Sequence, residues 1–162
     1  MRYAAALLLA IFSALLLPAV AAAGPAKHDG TERAIVRAVN KQRAAHGLGP
    51  VKATRSLARA ADFHTKEMLS GDYFAHTSRN GGAFAQRVRR FAGFRAIGET
   101  LAWVTRCGRG GARTVVNMWM NSSGHRAILL SSRFRRIGVG KRTGSLGSQR
   151  ACVVTADFAS HR

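Results

Sequence analysis

Residues 117–134 read NMWMNSSGHRAILLSSRF. With Val115 and Val116 just upstream, Trp119 and Met120 fall at helical spacing, which predicts a helix over about 112–121 with those four side chains inward. The periodicity gives out at Asn121-Ser122-Ser123-Gly124, small polar residues suited to ending a helix and turning the chain. His125 and Arg126 follow at once. Either this is ordinary helix punctuation, or the turn aims His125 into a site.

Upstream of that stretch three more helices are expected. Thr31 suits an N-cap with Glu32 in the first turn, Ile35, Val36 and Val39 mark the inward face, and Gly47 stops the helix. Thr54 can cap a second, whose apolar side uses Leu57, Ala58, Ala61, Met68 and Leu69 as far as Gly71. The loop GDYFAHTSRNGG, residues 71–82, releases a third helix at about 83–92. GFRAIGETLAWV, residues 93–104, is bracketed by glycines and too short for a helix. Downstream the chain changes character. FRRIGVGKR (134–142) and RACVVTADFAS (150–160) alternate and branch as strands do, separated by the turn TGSLGSQ. Four helices and a hairpin in one domain give an α+β class with a small antiparallel sheet.

The N-terminus carries a different signal. Residues 1–23 hold one charge, Arg2, then the apolar run Ala4 to Leu17, Pro18 and a string of small residues. This predicts a secretory signal peptide cut after Ala21 or Ala23, because the run is short for a membrane span. Residues 24–30 read as a linker, and 31–162 as one domain with one core. Export sets the reading of Cys107 and Cys152: an oxidising compartment makes one disulfide the default, and two buried free thiols the alternative.

The chain has a net charge of +19, and only one of its 26 Lys and Arg residues lies in the leader. Such a field draws a secreted protein to anionic lipid headgroups and acidic envelope polymers, although scattered charge of this kind also follows from an Arg- and Ala-rich base composition. Arginine outnumbers lysine 21 to 5, which favours bidentate contacts to phosphate or carboxylate. No nucleic-acid partner is expected, since exposed aromatics do not interleave the basic residues. A monomer is expected.

Seven carboxylates are few enough to weigh one by one. Asp29, Glu32, Asp62, Glu67 and Asp72 lie at helix starts, on exposed helix faces or at turns; only Glu99, in IGETLA, and Asp157, in VVTADFA, have apolar neighbours. A carboxylate there must be paired, solvated in a cleft or raised in pKa, and acceptance of backbone hydrogen bonds is as good a reading of Glu99 as a site role. His28, His46 and His161 look exposed, and His64 looks like a packed residue of the second helix. His76 follows Tyr73 and Phe74 in a loop. His76, Glu99 and His125 are separated by 23 and 26 residues, so no one local element unites them. HExxH, CxxC and GxSxG patterns are absent, and so is a phosphate-cradling glycine loop. A two-carboxylate glycosidase would have to use Glu99 and Asp157.

Taken jointly, six segments resemble the CAP superfamily of cysteine-rich secretory, antigen 5 and pathogenesis-related proteins, in its bacterial secreted SCP-domain branch. They are VNKQRAAHGLGPV (39–51), LARAADFHTKEM (57–68), DYFAHTS (72–78), IGETLAW (97–103), VVNMWMNSSGHRAILL (115–130) and FRRIGVG (134–140), in the family's order and spacing. The resemblance implies a three-layer α-β-α sandwich, about four helices around a small antiparallel sheet. It implies a cleft in which His76, Glu99 and His125 match family positions and form a plausible zinc set, with water in the open position. Thr100 replaces the asparagine of the family's GEN motif, and VTA at 154–156 replaces its WTQ.

Two functions follow as expectations. One is a binding or interaction module at the cell envelope or outside the cell, extracellular or periplasmic. The other is a metal-assisted hydrolase of peptide or cell-wall substrate, with Glu99 as general base for a water near His76 and His125.

Overall fold

A computed structural model describes residues 30–107 and 109–160. The expected signal peptide, and all of the linker but Gly30, lie outside the described residues. No helix among them is long and apolar enough to cross a membrane.

The first helix, α1 (Gly30–Ala45), buries Ile35, Val39 and Arg43 at a four-residue spacing and ends in a turn where Gly47 takes φ 68°. A short strand, β1 (Lys52–Ala53), leads into α2 (Arg55–Gly71). Thr54 caps α2, its side chain accepting from the Leu57 amide, and Asp72 closes it in the left-handed region. A single short helix, α3 (Phe84–Arg89), follows the loop. The segment 93–104, which has no helical length, supplies an edge strand, β2 (Ile97–Val104). Then come α4 (Arg109–Asn121) and α5 (Ser123–Leu129), and the hairpin β3 (Arg136–Leu146) and β4 (Gln149–Ala159). The hairpin turn is only Gly147-Ser148, because Gly147 supplies the positive φ of 56° that a two-residue connection needs.

The helix count differs from the expected four. Ser122 alone breaks the run after α4, with extended backbone, and Ser123 already begins α5. Burial of Leu129, and the packing of Ile128 on the same core, hold this seven-residue helix that propensity alone could not. The sheet runs β1-β3-β4-β2. The β3–β4 hairpin is antiparallel, as expected, β2 adds a further antiparallel pair with β4, and β1 adds a two-residue parallel rung to β3 that makes the sheet mixed.

Alternation along β4 explains the layers. Cys152, Val154, Ala156 and Phe158 enter one core with Ile35 and Val39 of α1, Val115, Val116 and Trp119 of α4, and Leu129 of α5. Ala151, Val153 and Ala159 face the opposite side, against α2 and α3 through Met68, Leu57, Ala60 and Val88. Helices on both faces bury β4 from Ala151 onward, giving the three-layer sandwich. The α2 backbone lies directly on β3, where Gly138 and Gly140 leave room: a Cβ at Gly138 would stand 2.1 Å from the Ala58 amide nitrogen.

Cys107, after β2, is joined to Cys152 on β4, with Cα atoms 5.7 Å apart. The crosslink spans 45 residues, which is worth about 4 kcal/mol in the chain-entropy model.

Candidate functional site

Strand register places Glu99 directly across from Asp157, and Asp157 across from Gly138 on its other side. Alternation turns both carboxylates toward the α2–α3 layer, the side of Leu101 and Val153. Both are buried. A carboxylate there requires a compensating cation, and Arg87 of α3 provides it. Its Nη2 donates to Glu99 Oε2, and its Nη1 donates to the His76 carbonyl at 3.2 Å and to Ser78 Oγ at 3.1 Å. One guanidinium therefore neutralises the buried acid and anchors the loop that carries His76.

That loop is tied down at several points. His64, completely buried on α2, donates from Nε2 to the Ala75 carbonyl at 2.8 Å, and its Nδ1 lies 3.1 Å from Glu67. Glu67 also accepts from the Arg79 amide. Burial alone would raise the Glu67 carboxyl, but these hydrogen bonds, that of His64 foremost, hold it below the ordinary value. His76 thus reaches Glu99 in a fixed pose, Nδ1 to Oε1 at 2.8 Å. A carboxylate only accepts, so Nδ1 carries a hydrogen, on a side chain that is 49% exposed.

His125 arrives from the opposite layer, on α5. Its ring centroid lies 6.3 Å from that of His76. Burial first, then the neighbouring His76, pushes its pKa below the usual histidine value and favours the neutral ring. His76, Glu99 and His125 are therefore brought into one cluster by the fold. Both oxygens of Glu99 are engaged, so it is not a free general base.

Asp157 is the second buried carboxyl beside this cluster. Its carboxyl is pushed well above the ordinary value by burial, then by the charge of Glu99, with Arg87 pulling it back. Neither of its oxygens has a hydrogen-bond donor in range. A neutral carboxylic acid fits both facts.

The zinc set expected of His76, Glu99 and His125 does not fit this arrangement. Among the described residues no group of three or more His, Cys, Asp or Glu side chains could hold a metal ion. The physical reason is Arg87: a buried guanidinium on Glu99 opposes a second cation at the same carboxylate. Arg87 is also the residue that sequence reasoning missed. Phe84, Arg87, Val88 and Phe91 stand at i, i+3, i+4 and i+7, so an arginine interrupts an inward stripe, and that was the available signal.

The layering and the strand order define a protein of the CAP-domain class. The chain belongs to the cysteine-rich secretory protein family (CAP), whose profile matches residues 36–158. It is 31% identical over 127 residues to the uncharacterized protein YkwD of Bacillus subtilis, which covers 77% of this chain and 48% of that protein. An extracellular protein containing an SCP domain from Bacillus anthracis superposes with a TM-score of 0.67 at 28% identity, over 82% of this chain and 41% of the other. An outer surface protein of Borrelia burgdorferi shares the fold, with a TM-score of 0.68 at 18% identity over 82% and 93% of the two chains. The chain thus spans less than half the length of the first two.

Proposed function

We propose that this chain is a secreted, monomeric CAP-domain module that binds anionic envelope components outside the cytoplasm. The observation that carries this reading is the double engagement of Glu99 by His76 and Arg87. It commits both oxygens of Glu99, which argues against that carboxylate as a free base, and it holds the His76 ring in place. The exposed Nε2 of His76 and the neutral His125 ring offer hydrogen-bonding groups to a polar ligand inserted between them. The net charge of +19 supplies attraction toward polyanions. Family membership and the extracellular and surface-located proteins among the structural relatives support the location.

The test is binding of the purified chain to isolated envelope material across a salt series. Retention that weakens steeply with salt, with no soluble product released, is expected. Salt-insensitive retention would overturn the electrostatic basis.

A second reading rests on the same His76–Glu99 pair. An imidazole oriented by a carboxylate is a general-base arrangement, with Nε2 as the base. Release of peptide or glycan fragments that is lost on His76→Gln would establish it in place of binding alone.

A further inference from the structure

A separate cationic site lies on the hairpin. After β2 ends at Val104, residues Thr105, Arg106 and Cys107 are held against β4 by the Cys107–Cys152 disulfide. Arg150 stands two residues before Cys152, and Thr143 is the β3 partner of Cys152, so alternation turns all three to one side. Thr105, Arg106, Cys107, Thr143 and Arg150 line a pocket of about 500 Å³. No carboxylate lines it.

The described acids are committed elsewhere. Asp62 pairs with Arg142, Glu67 with His64 and the Arg79 amide, Asp72 with the Gly147 amide, and Glu99 with Arg87 and His76. Asp157 is completely buried, and Glu32 nearly so. Arg106 and Arg150 therefore share a pocket with no internal counterion among the described residues. Thr143 also borders a second groove, of about 560 Å³, between α2 and β3, where Lys66 and Lys141 lie beside Arg142, whose guanidinium Asp62 already pairs. Among the described residues β1 pairs only with Arg136 and Ile137, which leaves the outer edge of β3 without a strand partner there.

We propose that these two hollows, meeting at Thr143, form a binding track for a phosphodiester-linked polymer, with Arg106 and Arg150 clamping one phosphate. The proposal rests on the binding function above and assigns its polyanion to the hairpin instead of the His76 cleft. Guanidinium forks match phosphate oxygens bidentately, and the Thr105 and Thr143 hydroxyls add donors. Two hollows in series suit a chain with repeated charge. A lipid would need an apolar anchor, and Leu69 is the one large apolar side chain along the track. The disulfide has a role here too: it pins the Arg106 segment beside Arg150, so the clamp is ordered before the ligand arrives.

The probe is a synthetic glycerol-phosphate oligomer titrated into the intact secreted chain. Arg106→Gln with Arg150→Gln, both exposed positions, is expected to weaken binding about tenfold or more. Arg89→Gln with Arg90→Gln removes the same charge from the exposed end of α3 and is expected to change binding by about twofold. Cys107→Ser with Cys152→Ser keeps every charge, and a folded variant is expected to bind several-fold more weakly. Equal losses from the two arginine pairs would overturn the site while leaving charge-driven binding intact. Equally tight binding to phosphatidylglycerol vesicles, with the same dependence on Arg106 and Arg150, would overturn the polymer assignment in favour of a lipid headgroup. Absence of binding to any anionic polymer by the unaltered chain would instead sink the proposed function itself.

Discussion

Glu99 and Asp157 stand opposite each other across β2 and β4, two buried carboxyls of which only Glu99 is held by Arg87. The asymmetry leaves Asp157 without a direct cationic partner. Glu99 is ion-paired, while Asp157 is pushed well above its ordinary value by burial and by Glu99. A group whose folded pKa is raised stabilises the fold most below its unfolded pKa, and that contribution disappears as pH rises through the folded value. Asp157→Asn keeps the shape and removes the titration. Urea denaturation should show it within about 1 kcal/mol of the parent, or more stable, at neutral pH, with a flatter pH dependence. A loss of about 3 kcal/mol or more would mean that the ionised form is the one the fold needs.

Arg87 and Glu99 are both nearly inaccessible, so solvent screens their interaction little. Removing the guanidinium alone leaves a buried charge without its partner. Arg87→Met is expected to destabilise the chain by about 3–5 kcal/mol, and Arg87→Met with Glu99→Gln by clearly less. A double-mutant cycle by chemical denaturation measures the coupling, and additive effects would contradict a buried pair. The single variant should also loosen the His76 loop, visible as faster amide exchange at residues 76–78, because Arg87 holds His76 and Ser78.

Gly138 and Gly144 lie on the same strand with opposite tolerances. At Gly138 a methyl group would meet α2 backbone at 2.1 Å; at Gly144 it would meet the flexible tip of Leu69 at 3.1 Å. Gly138→Ala must displace a helix from the sheet and should cost about 3 kcal/mol or more, whereas Gly144→Ala should cost less than about 1 kcal/mol. Thermal melting of the two variants side by side is the comparison, and similar melting temperatures would contradict the α2–β3 contact.

Arg43 is completely buried, and the groups that receive its hydrogen bonds are carbonyls, those of Gly49, Leu129, Ser131 and Phe134. Burial first, and then Arg135, lower its pKa, although arginine stays charged. The fork ties α1 to the end of α5 and to the segment entering β3. Arg43→Lys keeps the charge but loses the fork, and should lower stability by about 2–3 kcal/mol. Retention of full stability would show that charge alone suffices.

The helical periodicity of α1, α2 and α4 was plain in the chain because each buries one face and exposes the other. Thr54, Gly47 and the alternation of 150–160 marked boundaries for the same reason. The short elements were illegible. β2 reads as a glycine-bracketed apolar segment because helices on either side bury Leu101 and Ala102 alike, which erases the two-residue alternation. α5 lacks the length for a helical signature, and β1 is two residues defined by a partner more than eighty residues away. Of the cluster, Glu99 and Asp157 were visible as carboxylates in apolar company. Arg87 was hidden in a run of arginines whose individual burial only packing reveals.

By itself the sequence determined which residues could carry chemistry, the α+β class, and the pair of cysteines, since residue type and periodicity are properties of the chain. The tertiary structure decided how those residues are used. Strand register set Asp157 against Glu99, α3 delivered the guanidinium that occupies Glu99, and α5 brought His125 across from the other layer. Charge state and ligand capacity depend on distance and burial, and for residues this far apart in sequence these quantities exist only in the folded chain.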